Sequence, residues 1–303
     1  MKILLSHNLE GIGGGSSFAR NLLTGMKKYF PDVEFTYDTN TTDYDILFIL
    51  TPTSIKSFDF IDKAKEMGKK IVFRCDNMPK PHRNRRYRVF QKLKRLIELS
   101  DQVIYQSNWA KEHIAWGEIP KKGIVIPNGV DQDIFNRHGD VRDFRDGKDY
   151  RRIYLILISS SDPCKRLHEN LAMYEGAYRK GIENGLKPIK LIIAGRIPDA
   201  YHVAKMEAGW DFVRGEEVEY IGELHSPEEV ARTMRGCTHL LFASFNDASP
   251  NTILEARACG LDVAYSQTGG TPQMASLSEH KMGLDTMVEN YYKCFERVLS
   301  NKW

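Results

Sequence analysis

Two carboxylates eight positions apart carry the most chemistry in this chain. Asp247 lies in the loop-like stretch FASFNDASP (242–250), and Glu255 lies on the helical pattern that follows, on the same face as Asn251 one turn earlier. Ser249 is placed to cap that helix, Pro250 suits its first position and Gly260 its end. A helix N-terminus offers free N–H groups to a phosphate. An ionised carboxylate only accepts hydrogen bonds, so Glu255 matches a pair of ribose hydroxyls. The same spacing equally describes a capped amphipathic helix with a solvated Glu255.

Three further segments have reactive or binding character. In DPCKR (162–166), Lys165 and Arg166 form an adjacent pair of cations, either a solvated helix start or a place for an anion. They stand at a helix start, where the dipole disfavours cations unless an anion is bound. Residues 11–17, GIGGGSS, bring backbone close to a ligand at Gly14 and Gly15, for an anion or sugar contact. The third glycine of a dinucleotide fingerprint is missing there. Residues 80–95 hold eight Lys or Arg and no acid, with Tyr87, Phe90, Leu93 and Leu96 interleaved. A basic amphipathic helix over 83–95 serves as a solvated face packed on a sheet, or as a contact for an anionic membrane or acidic acceptor. Nucleic acid fits least, because the whole chain carries only +3, from 43 Lys plus Arg against 40 Asp plus Glu.

The elements that must position these groups alternate. Strand patterns fall at 2–6, 33–37, 46–50, 71–73, 103–105 and 124–126, with helical patterns at 17–29, 56–66, 85–99 and 110–116. A second set of strands follows at 153–159, 189–194, 218–221, 239–243 and 262–265, with a capping box from Ser226 to Glu229 and a terminal helix over 285–299. Apolar runs such as ILFIL fit parallel strands covered on both faces. Between the two sets, 136–152 holds four Asp and six Lys or Arg and reads as a solvated linker or surface excursion. Domains are therefore expected at 1–135 and 136–303, both α/β with ligands at the carboxyl ends of their strands.

Length and composition agree. At ~150 residues per domain, 303 residues suit two. With 42% hydrophobic and 27% charged residues the chain reads as globular, neither disordered nor fibrous. Five scattered cysteines without a C-x-x-C pair argue for reduced thiols and against a zinc ribbon. No run approaches the ~20 apolar residues of a membrane span, and the short apolar start at 3–5 is no signal peptide. The expected location is the cytoplasm, with peripheral contact at the inner face of a membrane through the basic helix.

The acidic residue at 247, seven intervening residues, and Glu255-Ala256-Arg257-Ala258-Cys259-Gly260 resemble the signature of retaining GT-B glycosyltransferases of the family-4 type, the glycosyl transferases group 1. Ile126-Pro127-Asn128-Gly129-Val130-Asp131, Ile192-Ile193-Ala194-Gly195, Tyr220-Ile221-Gly222 and Thr268-Gly269-Gly270-Thr271-Pro272 resemble other pieces of the family in its order. The resemblance implies two Rossmann-like domains facing a central cleft, with the terminal helix packing back toward the N-domain. It also implies transfer of a sugar from a nucleotide-sugar donor to a glycan, lipid-linked or other hydroxyl acceptor with retained configuration, without metal or cofactor. Glu255 would hold the donor ribose, Asp247 would lie near the transferred sugar, and Lys165 with Arg166 would meet the diphosphate. Ser249, Asn251, Gly14 and Gly15 join them on the donor. Asp76 takes the place of a family His that touches the donor sugar, with His82 second; His82 and Arg74 are assigned to the acceptor. Departures from the pattern are Asp247 for Glu, Ser159 for an Arg and Gln273 for Glu. The alternatives are a non-catalytic glycan- or nucleotide-binding relative and a sugar-nucleotide epimerase.

Overall fold

The computed structural model describes residues 1–6, 14–52, 55, 57–76, 86–113, 122–158, 163–196 and 217–301. In chain order the elements are β1 (Lys2–Leu5), α1 (Gly14–Tyr29), β2 (Glu34–Thr36), β3 (Ile46–Ile49), α2 (Asp59–Glu66), β4 (Lys70–Cys75), α3 (Arg86–Leu99), β5 (Gln102–Tyr105), α4 (Asn108–His113) and β6 (Ile124–Val125). They continue with β7 (Arg152–Ile158), a 3-10 turn (Pro163–Lys165), α5 (Leu167–Glu183), β8 (Ile189–Gly195), β9 (Val218–Tyr220), α6 (Pro227–Arg235) and β10 (His239–Phe242). Last come α7 (Asn251–Ala258), β11 (Asp262–Tyr265), α8 (Thr271–Ser276), α9 (Glu279–Met282) and α10 (Leu284–Ser300).

Two compact units result, Met1–Val130 with Leu277–Trp303, and Asp131–Ser276. The first holds a parallel sheet in the order β2-β1-β3-β4-β5-β6. Alternate residues of β3 serve its two faces. Ile46 and Phe48 pack with Phe18, Leu22 and Met26 of α1 and with Tyr291 and Phe295 of α10. Leu47 and Ile49 pack with Ile61 of α2 and with Leu93 and Leu96 of α3. The apolar runs read as doubly covered strands are therefore that. Phe48 meets the Phe295 ring edge-on at 5.3 Å.

The second unit holds a parallel sheet in the order β11-β10-β7-β8-β9. Ile156, Ile158 and Leu191 pack on Leu167, Leu171 and Tyr174 of α5. The capping bond from Glu229 N–H to Ser226 Oγ forms at 3.1 Å, but the Glu229 carboxylate accepts from His225 N–H rather than Ser226 N–H. The box closes one residue further out than the pattern implies.

The boundary falls five residues before the expected 135, and the terminal helix, assigned by sequence to 136–303, belongs to the first unit. Val130 N–H donates to Met282 O at 2.8 Å and pairs with Gly283, which ties 126–130 to the end of the chain. The stretch 136–152 is a surface excursion, the second of its two readings: most of its residues are exposed, and it is pinned to the second unit at a few points. Phe144 and Tyr150 are buried, Arg235 donates to the carbonyls of Ile134, Asn136 and Asp140, and buried Lys190 donates to Phe144 O at 2.8 Å. These clamping cations lie outside the stretch; of its own charges, Asp146 pairs with Lys190 and Asp149 with Lys187.

α1 and α10 approach most closely at Gly25, where a Cβ would stand 2.4 Å from Val288 Cγ2 and 3.2 Å from Leu284 Cγ. Overpacking a tight contact costs about 1–3 kcal/mol. Gly25→Val is expected to destabilise the chain by that amount, read as a lower midpoint in urea unfolding.

Candidate functional site

A doubly wound sheet binds ligands where successive crossovers run to opposite sides, just beyond the carboxyl ends of the strands. In the second unit β8 and β9 lie on one side of β7 while β10 and β11 lie on the other, so this point falls between β7 and β10. The turn after β7 carries Lys165 and the loop after β10 carries Asp247. Lys165 Nζ donates to Asp247 Oδ2 at 3.1 Å, with side chains 25% and 24% exposed. The Lys165 ammonium also faces the Phe242 ring at 5.9 Å.

The backbone around the pair is tightly held. Asp247 Oδ1 accepts from Ser249 N–H at 3.3 Å, and Asp247 O accepts from Gly270 N–H at 2.7 Å. Gly269 sits at φ +69 so close that a Cβ would be 2.4 Å from Asp247 O, which explains the glycine in TGGTP. Asn246, at φ +52, turns the loop. On the Lys165 side, Arg166 occupies the left-handed region at φ 48 and ψ 58, directly before α5. Its guanidinium lies 4.5 Å from the Phe245 ring centre and 3.4 Å from Glu169.

Sequence reasoning missed Asn170, which joins the two sides. Its Nδ2 donates to Lys165 O at 3.2 Å and Arg166 O at 2.9 Å, while its Oδ1 accepts from Ala243 N–H at 2.8 Å. It is 3% exposed. The signal was available: an amide interrupts the apolar stripe of Leu167, Leu171 and Tyr174, and a buried amide requires partners.

Glu255 lies on α7, partly buried. Burial pushes its carboxyl up from 4.5 to about 7. Among the described residues no cation or donor is paired with that carboxylate, unlike those of Asp247 and Glu169. Asn251 opens the helix and Pro250 is its cap residue, with no side-chain cap bond. Ser249 does not cap the helix, as its sequence position suggested. Pro250 takes the cap position, and the Ser249 hydroxyl donates to Met274 Sδ at 3.1 Å. Gln273 lies on α8.

The first unit brings together a second set. Arg74 is buried, with its guanidinium 3.6 Å from the Phe18 ring centre. It donates to Asp76 Oδ2 at 3.1 Å, Leu50 O at 3.4 Å and Asn128 Oδ1 at 3.3 Å. With its amide oxygen turned toward the guanidinium, Gln106 accepts from Arg74 Nε at 3.1 Å. Arg74 is thus an internal clamp across β3, β4, β5 and α1, and its burial leaves no surface for the acceptor contact expected of it. Burial raises the Asp76 carboxyl, against the pull of Arg74 and a hydrogen bond from Thr51. Asp76 Oδ1 is buried without a partner among the described residues. Asp76 Oδ2 lies 3.6 Å from where a Cβ on Gly15 would stand, so the carboxylate flanks the start of α1, which Gly14 opens. His82, Ser159, Gly11 and Gly13 lie outside the described residues, as do 83–85 of the basic helix. Among the described residues no group of three or more His, Cys, Asp or Glu is placed to hold a metal ion. None of their helices is long and apolar enough to cross a membrane.

Comparison with known proteins places this geometry. Residues 169–301 match the family described as glycosyl transferases group 1. Anabaena HepE, solved with UDP-glucose, is similar over 100% of this chain and 93% of its own, with TM-score 0.66 and 14% identity. The sucrose-phosphate synthase of Thermosynechococcus elongatus is similar over 99% and 96%, with TM-score 0.67 and 13% identity. No curated protein matches the chain in sequence. The fold is GT-B, two Rossmann-like domains, with a group 1 glycosyltransferase pattern from α5 onward.

Because folding raises the Glu255 pKa, the fold binds this proton more tightly than the unfolded chain does. Its contribution is fully present below about pH 4.5, is lost as pH rises through about 7 and is constant above. At about 1.4 kcal/mol per pKa unit, Glu255→Gln is expected to gain about 1–3 kcal/mol over wild type between pH 4.5 and 8. Denaturant unfolding of both proteins across that range measures the difference.

Proposed function

We propose that this chain is a glycosyltransferase that moves a sugar from a nucleotide-sugar donor to a hydroxyl acceptor with retention of anomeric configuration. The observation that carries the reading is Glu255, a partly buried carboxylate with no described partner, on the helix that follows the Lys165–Asp247 pair. A desolvated acceptor is costly unless donors reach it, and vicinal ribose hydroxyls supply two. Lys165, with Arg166 beside it, meets the diphosphate, and the N-terminus of α7 adds free N–H groups. The structural likeness to Anabaena HepE, solved with UDP and with UDP-glucose, supports a nucleotide-sugar donor.

The acceptor is assigned to the first unit. There Asp76 Oδ1, buried without a partner among the described residues, accepts from a sugar hydroxyl, and the start of α1 at Gly14 and Gly15 admits close approach. In the reaction, the bond from the anomeric carbon to the diphosphate oxygen breaks and its electron pair leaves with the diphosphate. The acceptor oxygen bonds to the same carbon from the same face, and its proton passes to the departing oxygen. Positive potential comes from Lys165, Arg166 and the helix end, positioned before the reaction begins. The chain works in the cytoplasm, with exposed Tyr87, Arg88 and Lys94 of α3 available to an anionic surface.

Release of nucleoside diphosphate from UDP-, GDP-, ADP- and dTDP-sugars, with mixed hydroxyl acceptors, tests the reading. Lys165→Ala is expected to lower kcat by about 10²–10³, the range for losing one preorganised electrostatic contact, with a smaller change in acceptor KM. A wild-type rate in Lys165→Ala contradicts the assignment.

A further inference from the structure

The cation that would receive the diphosphate already has an anion. Lys165 Nζ is held 3.1 Å from Asp247 Oδ2, and this ion pair stands beyond the carboxyl ends of the neighbouring strands β7 and β10. The two partners differ in freedom. Asp247 is fixed on three sides, by Ser249 N–H on Oδ1, by Gly270 N–H on its carbonyl, and by Gly269 packed against its backbone. Lys165 is a point charge on a four-carbon stem with three rotatable donors; its turn is anchored through main-chain carbonyls, Lys165 O and Arg166 O by Asn170 and Cys164 O by Phe245 N–H at 2.7 Å, which leaves the ammonium itself free to turn. A diphosphate arriving here therefore cannot displace Asp247, but it can draw the ammonium away.

We infer that Lys165 and Asp247 form an exchange pair that makes the site specific for diphosphate-bearing donors. Without donor, Asp247 holds Lys165 and each neutralises the other. When a diphosphate takes Lys165, Asp247 Oδ2 loses its donor and becomes a fixed, unsatisfied acceptor beside the incoming sugar, whose hydroxyl satisfies it. A free sugar has no group to draw Lys165 off and meets an occupied carboxylate. Asp247 is then the specificity-determining residue: it competes with the diphosphate for one ammonium and returns that cost only to a ligand that also brings a hydroxyl. This inference rests on the donor-site reading above and adds the order of events within it.

Calorimetric titration of inorganic pyrophosphate, which has the diphosphate but no sugar hydroxyl, isolates the competing half. Wild type, Asp247→Asn, Lys165→Met and the double variant form a cycle, and UDP, GDP, ADP and dTDP are titrated into wild type alongside. Asp247→Asn is expected to tighten pyrophosphate by about five-fold, equivalent to about 1 kcal/mol at 1.4 kcal/mol per tenfold. In the Lys165→Met background the same change is expected to alter affinity by less than about two-fold, because no ammonium remains to compete for. With a nucleotide sugar as substrate, Asp247→Asn is expected to lower kcat although its diphosphate binding improves, a split that simple loss of structure does not give. Equal tightening in both backgrounds would reduce Asp247 to a general repulsive charge and overturn the exchange. Unchanged or weaker binding in Asp247→Asn overturns it too. If wild type binds neither pyrophosphate nor any of the nucleotides, the donor-site reading fails and the exchange with it.

Discussion

The strand order of the second sheet is the constraint on which the proposed donor site depends. Because β8 and β9 are added on one side of β7 and parallel β10 on the other, two loops more than eighty residues apart in sequence end side by side, and Lys165 and Asp247 meet at 3.1 Å. No local propensity brings them together. The sheet does so only because its apolar strands are covered by helices and stay parallel, and Asn170 then fixes the spacing by bonding to both loops at once. Around this point the backbone adopts conformations that most residues avoid, at Arg166, Asn246 and Gly269. Unusual backbone of this kind persists when surrounding structure over-determines it.

Both units contain charged groups that their own packing leaves incompletely satisfied. In the second unit it is Glu255, with its carboxyl raised by burial. In the first it is Asp76, which keeps one oxygen on Arg74 and leaves the other buried without a partner among the described residues. Arg74 itself is fully engaged, by a ring, three carbonyl-type oxygens and a carboxylate. The contrast matters: a buried charge with complete partners reads as architecture, whereas a buried acceptor with an open lone pair reads as a place for a ligand donor. By that criterion Arg74 positions Asp76, and Asp76 and Glu255 are the carboxylates that the proposed function assigns to ligands.

Much of this was legible in the sequence, for identifiable reasons. The alternation of apolar runs and helical patterns gave the two parallel sheets, since periodicity reports burial directly. The Asp247-to-Glu255 spacing and the Lys165 position were recognisable because short motifs keep their order along the chain. What escaped notice depends on long-range contacts. The stretch 136–152 looked like a linker because its charges dominate its composition, while its two buried aromatics, Phe144 and Tyr150, are spaced too irregularly to show a period. Ser249 looked like a cap, and the contact of its hydroxyl with Met274, twenty-five residues on, has no local signature. Asn170 was visible only as an amide out of place on an apolar stripe.

The central claim is that the carboxyl edge of the second sheet binds a nucleoside diphosphate, with Glu255 on its ribose. Thermal unfolding with UDP, GDP, dTDP, ADP and CMP tests this most directly, run on wild type and Glu255→Ala. At ~100 times its dissociation constant a ligand adds about 2.7 kcal/mol, worth roughly 2–4 °C in domains of this size. The account predicts such a rise for at least one nucleoside diphosphate, lost in Glu255→Ala. No rise with any of the five, or a rise fully retained in Glu255→Ala, would contradict it.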